Sequence, residues 1–257
     1  MSERTSYDPG SPSWVDLVTT DLQGALRFYG ELFGWEMEDA GEEAGHYHQA
    51  LLRGKRVAGI GPNPPGMPAM AAWTTYLSGA DADAHAAAIQ DAGGQVVMGP
   101  LDVFEEGRML LAMDPAGAMF GIWQPGRHHG SELVNENAAP TWNELLTRDL
   151  DGAVRFYGSI FDYGFDDLPQ GDDYKLITVG GRVVGGIWQM GDQIPAETPP
   201  HWLNYFHLDD VDAGLARAEE LGGQIVGEVR DSPYGRFAPV RDPQGALFTL
   251  IRGNIQE

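Results

Sequence analysis

The mostly apolar run Val15 to Thr19, interrupted by Asp16, reads as a short strand, on whose two-residue period Trp14, Asp16 and Val18 share one side. The period then lengthens. Leu22, Leu26, Tyr29 and Phe33 share one face of a helix, which Asp21 opens by offering a carboxylate to the unpaired first-turn amides and Gly34 closes. Two strand-like runs follow, Tyr47 to Arg53 and Val57 to Ile60, around a tight turn at Gly54 and Lys55, giving a hairpin or three-strand meander. The same order then restarts. Trp73 to Ser78 reads as a strand, Asp83 to Ala92 as a helix stopped by Gly93 and Gly94, and Gln95 to Val97 as a strand. Met109 to Met113 and Ala118 to Trp123 close the unit around the Asp114-Pro115-Ala116-Gly117 turn.

The whole pattern occurs twice. The run from Trp14 to Gly30 returns as Trp142 to Gly158, an offset of 142 − 14 = 128, and Asp114-Pro115-Ala116-Gly117 returns as Asp242-Pro243-Gln244-Gly245 at the same offset. Leu150, Val154, Tyr157 and Phe161 repeat the first helix; Trp202 to Leu208 and Asp212 to Leu221 repeat the second strand and helix. The chain therefore carries four βαβββ-like modules in two pairs: residues 11–124, a linker over 125–139, and residues 140–254. Pro62 to Pro68 and Gln193 to Pro200 are Pro-rich connectors between modules. The linker has little apolar content, and its His128 and His129 are expected at the surface.

Composition narrows the function classes. The 257 residues include no cysteine, which removes disulfides, thiolate metal sites and cysteine nucleophiles. A formal charge of −22 opposes nucleic-acid and anionic-membrane partners and keeps the chain soluble. The N-terminus lacks a signal-peptide core and no long apolar run occurs, so the expected location is the cytoplasm. A small molecule is the expected partner, with the chain a monomer or homodimer.

Paired βαβββ modules, a first strand ending in Thr-x-Asp-Leu before a Phe-Tyr helix, and a last hairpin on Asp-Pro-x-Gly resemble the vicinal oxygen chelate superfamily. Glyoxalase I, bleomycin-resistance proteins and extradiol dioxygenases belong to it. The resemblance runs from about Ser13 to Arg252 and is nearest to two-domain bacterial glyoxalase-like or hydroxylase-type members. It implies an α+β fold of two tandem domains whose mixed sheets curl into cups, with ligand held against the concave face.

It also implies a divalent metal, held by His, Glu or Gln side chains in the cup. The family's first ligand stands seven residues before the helix-opening Asp, which falls here on Trp14 and Trp142, and on Thr74 and Leu203 in the second modules. The final Glu position falls on Gly121 and Thr249, and Val57 to Gly61 and Val183 to Ile187 offer no carboxylate or imidazole. With these positions empty in both copies, no family-type metal site and no cofactor are expected.

The remaining cup-face residues are aromatic and acidic. Alternation places Trp14, Asp16 and Tyr76 on one concave face and Trp142, Glu144, Tyr205 and His207 on the other, suggesting aromatic walls with Asp16 or Glu144 as polar anchor. Those acids could instead simply accept hydrogen bonds from their neighbours. Glu144 and His207 form the candidate catalytic acid/base pair, a role that a structural histidine would not fill. His46 and His48 have metal-like spacing without a third ligand. His85 and His201 have no evident partner. Arg27 and Arg155 lie on the outer helix side, and Arg108 and Arg236 are expected to pair with acids. Three readings follow: a metal-independent binder of an aromatic or antibiotic-like compound; a hydroxylase, dioxygenase or lyase with a non-standard site; and a structural protein whose cups are filled by side chains.

Overall fold

A computed structural model describes residues 3–64, 69–168 and 171–253. Pro65 to Pro68 of the first connector, and the last residue of the second predicted domain, lie outside them. In the first copy the order is β1 (Pro12–Thr19), α1 (Leu22–Phe33), β2 (Glu36–Asp39), β3 (His48–Leu52), β4 (Lys55–Pro62), β5 (Ala72–Ser78), α2 (Ala82–Asp91), β6 (Gln95–Val103), β7 (Gly107–Met113) and β8 (Met119–Pro125). The second copy has β9 (Pro140–Thr147), α3 (Leu150–Ile160), β10 (Gly164–Leu168), β11 (Gly171–Val179), β12 (Arg182–Gln189), β13 (His201–His207), α4 (Val211–Glu220), β14 (Gln224–Ile225), β15 (Arg230–Ser232), β16 (Gly235–Arg241) and β17 (Leu247–Gly253). The meander is thus three-stranded; β2 and β10, largely polar and exposed, carry no sequence alternation strong enough to show.

Among the described residues each of the four α-helices starts on the carboxylate of an aspartate. Asp21 accepts from Gly24, Asp81 from Asp83 and Ala84, Asp149 from Gly152 and Asp210 from Ala213, satisfying amides that helix geometry leaves unpaired. At the C-terminus of α1, Gly34 adopts φ +70° and returns its amide to the Gly30 carbonyl.

Modules pair within a copy. The first sheet runs β2-β3-β4-β1-β5-β8-β7-β6 and the second β10-β11-β12-β9-β13-β17-β16-β14, with β15 on β16. Each copy is thus a curved mixed sheet, α+β as expected.

Helices, by contrast, pack across copies. One core joins Val15, Leu17, Phe28 and Tyr29 of the first copy to Phe206, Leu215, Val240 and Phe248 of the second. Another joins Leu77, Ile89, Leu110 and Phe120 to Leu145, Phe156, Tyr157 and Ile187. Between the sheets, Asn204 Nδ2 donates to Asn143 Oδ1 (2.7 Å) and Thr75 Oγ1 (2.6 Å), a buried polar junction that pins β5 to β9 and β13.

The segment between copies corrects the linker expectation. Leu133, Ala138 and Ala139 are buried in the shared core, and the Trp35 indole donates to the Ala138 carbonyl at 2.8 Å. His129 is exposed, but His128 is buried, because the chain turns it edge-on against Trp14 at 4.4 Å and its carbonyl accepts from the Trp123 indole.

Candidate functional site

Strand alternation sends Val15 and Leu17 into the shared core and leaves Trp14 and Asp16 on the concave side. Register then fixes two rows across the first cup. Gln49, Gly59, Asp16 and Thr74 are neighbours along one row, and Trp14, Tyr76, Gly121 and Leu111 along the next. In the second cup the rows are Leu176, Gly186, Glu144 and Leu203, then Trp142, Tyr205, Thr249 and Pro239.

The same side-chain chain crosses both rows in both cups. The Trp14 indole donates to the Tyr47 hydroxyl at 3.0 Å, and that hydroxyl reaches Asp16 Oδ2 at 3.5 Å. In the second cup Trp142 donates to Tyr174 at 3.1 Å, Tyr174 to Glu144 Oε2 at 2.9 Å, and Tyr205 to Glu144 Oε1. Glycine makes room for these rings. A Cβ at Gly59 or Gly186 would collide with the hydroxyl of Tyr47 or Tyr174, and one at Gly121 with the ring of Tyr76.

Electrostatics follow from the low-dielectric setting. Burial pushes the Asp16 carboxyl up to about 7, opposed only by the Tyr76 and Tyr47 hydroxyls, so it exchanges its proton near neutrality. Burial also raises Glu144, against the hydroxyls of Tyr205 and Tyr174. The tyrosines themselves are held far above their usual range by burial and by the neighbouring acid, which keeps them neutral donors.

The predicted residues Trp14, Asp16 and Tyr76 therefore meet in one cup, and Trp142, Glu144 and Tyr205 in the other. His207 does not join them. Glu144 lies opposite Leu203, four residues along β13 from His207, a separation of roughly 13 Å at strand rise. The imidazole instead faces Asp209 at 3.3 Å and accepts from the Gly253 amide. Tyr47 and Tyr174 are the residues that sequence reasoning missed. Their signal was the recurrence of a tyrosine on the meander in both copies together with a glycine on the next strand.

Other candidates find structural partners. His46 pairs with Asp39, and His48 Nδ1 bonds the His46 carbonyl, so the two rings do not form a ligand pair. His85 packs against Phe161, and His201 bonds the Pro199 carbonyl. Arg108 pairs with Asp83 and Asp102, and Arg236 with Asp212 and Asp231. Arg27 and Arg155 are exposed. A cleft of about 290 Å³ between α1 and Pro243 and Gln244 lies on the helical side, outside both cups. No described helix is long and apolar enough to cross a membrane.

Known proteins share this architecture. The chain is 41% identical over 264 residues to "Putative glyoxylase CFP32" of Mycobacterium tuberculosis, covering all of both chains. It is 35% identical over 266 residues to "Anthracycline biosynthesis protein DnrV" of Streptomyces peucetius, covering 96% of this chain and 94% of that one. Among solved structures, the 2,3-dioxygenase LapB from Pseudomonas sp. KL28 superposes with TM-score 0.66 at 14% identity, over 97% of this chain and 94% of that one. The Mn(II)-bound glyoxalase from Novosphingobium aromaticivorans gives 0.64 at 16% identity, over 98% and 83%. Residues 11–122 and 140–250 each match one family, and the chain belongs to the Glyoxalase/Bleomycin resistance protein/Dioxygenase superfamily.

Proposed function

We propose that this protein binds a small aromatic compound against its concave sheet faces, without the divalent metal of its superfamily. The observation that carries this reading is the Trp-Tyr-acid chain repeated in both cups. The residues at the family's ligand positions do not fit a divalent metal. Trp14, Trp142, Gly121 and Leu203 bring no donor, Thr74 and Thr249 only a neutral hydroxyl, and tyrosines cover Gly59, Gly121 and Gly186. Among the described residues no three His, Cys, Asp or Glu side chains converge.

What these residues can do is bind and orient. In the first cup the half-buried Tyr47 offers an apolar ring with a polar edge beside Asp16, over a buried cluster of Trp14, Tyr76 and Trp123. In the second cup Trp142 and Trp188 are half-buried and stand beside Met190, just after β12, and Ile194 of the connector, leaving ring surface for a planar ligand.

An enzymatic reading is favoured by one observation, the proton affinity of Asp16. A carboxyl that exchanges its proton near pH 7 suits general acid/base work on a bound substrate. The catalytic candidate then shifts from the Glu144 and His207 pair to Asp16.

Tryptophan-fluorescence titration with a panel of planar aromatic compounds, beside elemental analysis of protein purified without added metal, tests both parts. Saturation in metal-free protein is the expected result. A stoichiometric divalent ion needed for saturation, or no saturation by any compound, overturns the proposal.

A further inference from the structure

The two cups hold their acids differently. Glu144 is buried, and both its oxygens accept from tyrosines. Asp16 is one methylene shorter and only half-buried; the Tyr76 hydroxyl bonds it, while Tyr47 reaches it only at 3.5 Å, beyond a good hydroxyl–carboxylate bond. Among the described residues no Arg, Lys or His forms an ion pair with Asp16.

Its surroundings are short of donors. Gln49 stands beyond Gly59 in the same row, and its carboxamide oxygen is buried without a hydrogen-bond partner. The corresponding row of the second cup is apolar, with Leu176 and Leu203 flanking Gly186 and Glu144.

We propose that the first cup recognises the primary ammonium group of a small molecule with an aromatic body, with Asp16 as its counter-ion. This rests on the reading of the cups as small-molecule sites. An ammonium supplies three donors and no acceptor, matching a site whose unmet needs are for donors. Its bond to a carboxylate is charge-assisted, and the half-buried ring of Tyr47 beside Asp16 adds an aromatic face that attracts a cation. An alcohol of the same shape brings one donor and two further lone pairs. The formal charge of −22 raises the local concentration of cations around the whole molecule.

Calorimetric titration of the full chain at pH 8 with 2-phenylethylamine and with 2-phenylethanol compares a cation with a neutral molecule of the same shape. The amine is expected to bind about ten-fold tighter or more, as one charge-assisted contact allows. Asp16→Asn should bring the two within about two-fold, since the charge that favours the amine is removed. Equal binding of amine and alcohol by the unaltered protein, or a preference that survives Asp16→Asn, overturns the ammonium assignment. Aromatic-panel saturation alongside either result leaves the small-molecule reading standing. Saturation by neither probe nor panel overturns both. The unaltered-protein comparison decides the matter even if the variant does not fold.

Discussion

Tyr29 donates its hydroxyl to Asp242 Oδ2 at 3.0 Å, joining the first helix of one copy to the last turn of the other. Asp242 uses its second oxygen within the turn, accepting from Gln244 and Ala246, while the Trp73 indole donates to Tyr29 at 2.9 Å. The mirror arrangement links Tyr157 to Asp114 at 3.3 Å, with Trp202 behind it. Tyr29→Phe leaves a buried carboxyl oxygen and an indole N–H without partners, and should cost about 1–3 kcal/mol in urea unfolding. Tyr157→Phe should cost a similar amount, and both variants should unfold in a single transition because each core draws on both copies. Two separated transitions would contradict the shared cores.

Gly59→Ala should displace Tyr47 and break its contacts with Trp14 and Asp16, destabilising by about 1–3 kcal/mol through overpacking. Tyr47→Ala in the same chain removes the collision, so the double variant should be more stable than the sum of the single effects predicts. A strictly additive cycle would show that the ring does not lie over the glycine.

Asp16 and His128 push the pH dependence of stability in opposite directions. The folded-state value of Asp16, about 7, lies above its ordinary 3.8, so the native state binds the extra proton. Its contribution is complete below about pH 4 and lost as pH rises through 7. Asp16→Asn should therefore raise stability at pH 8 relative to pH 4, by about 1–2 kcal/mol after allowing for partial solvent access. A variant that loses the same stability as wild type between those values would contradict the raised carboxyl.

Burial holds His128 down to about 3, with Arg56 and His129 adding repulsion, so here the unfolded chain binds the extra proton. Stability from this residue is present above about pH 6.5 and lost as pH falls towards 3, on the order of a few kcal/mol. His128→Phe removes the titration and should flatten the acid limb of a thermal-melt series from pH 7 to 4. An unchanged acid limb would place the imidazole in water, where the linker composition alone puts it.

Asn204→Ala tests the junction between the sheets. It withdraws the amide that serves both Asn143 and Thr75, and should cost about 1–3 kcal/mol by denaturant unfolding because the remaining groups stay buried. Replacing Asn143, Asn204 and Thr75 together by valine should recover part of that loss, since no polar group is then left unpaired. Failure of the triple variant to recover any stability would mean that the cluster sets geometry as well as satisfying its own groups.

The amino-acid order by itself determined the duplicated modules, the Asp-started helices, the turns and which residues of one strand share a face. These depend on interactions a few residues apart: two- and 3.6-residue periods, a carboxylate three positions before an amide, a glycine after a last turn. Trp14 and Asp16, like Trp142 and Glu144, could be grouped because strand alternation puts residues two apart on one face, whereas the placing of Tyr76 and Tyr205 beside them rested on strand register. What only the tertiary structure decided depends on register and on packing between distant segments. The antiparallel pairing of β9 with β13 set Glu144 opposite Leu203 and carried His207 away from it. Tyr47 and Tyr174 became part of the cups because glycines on the neighbouring strands left space for their rings. The linker, polar in composition, was drawn inward because Leu133, Ala138 and Ala139 complete a core shared by both copies, and that path buried His128 beside Trp14.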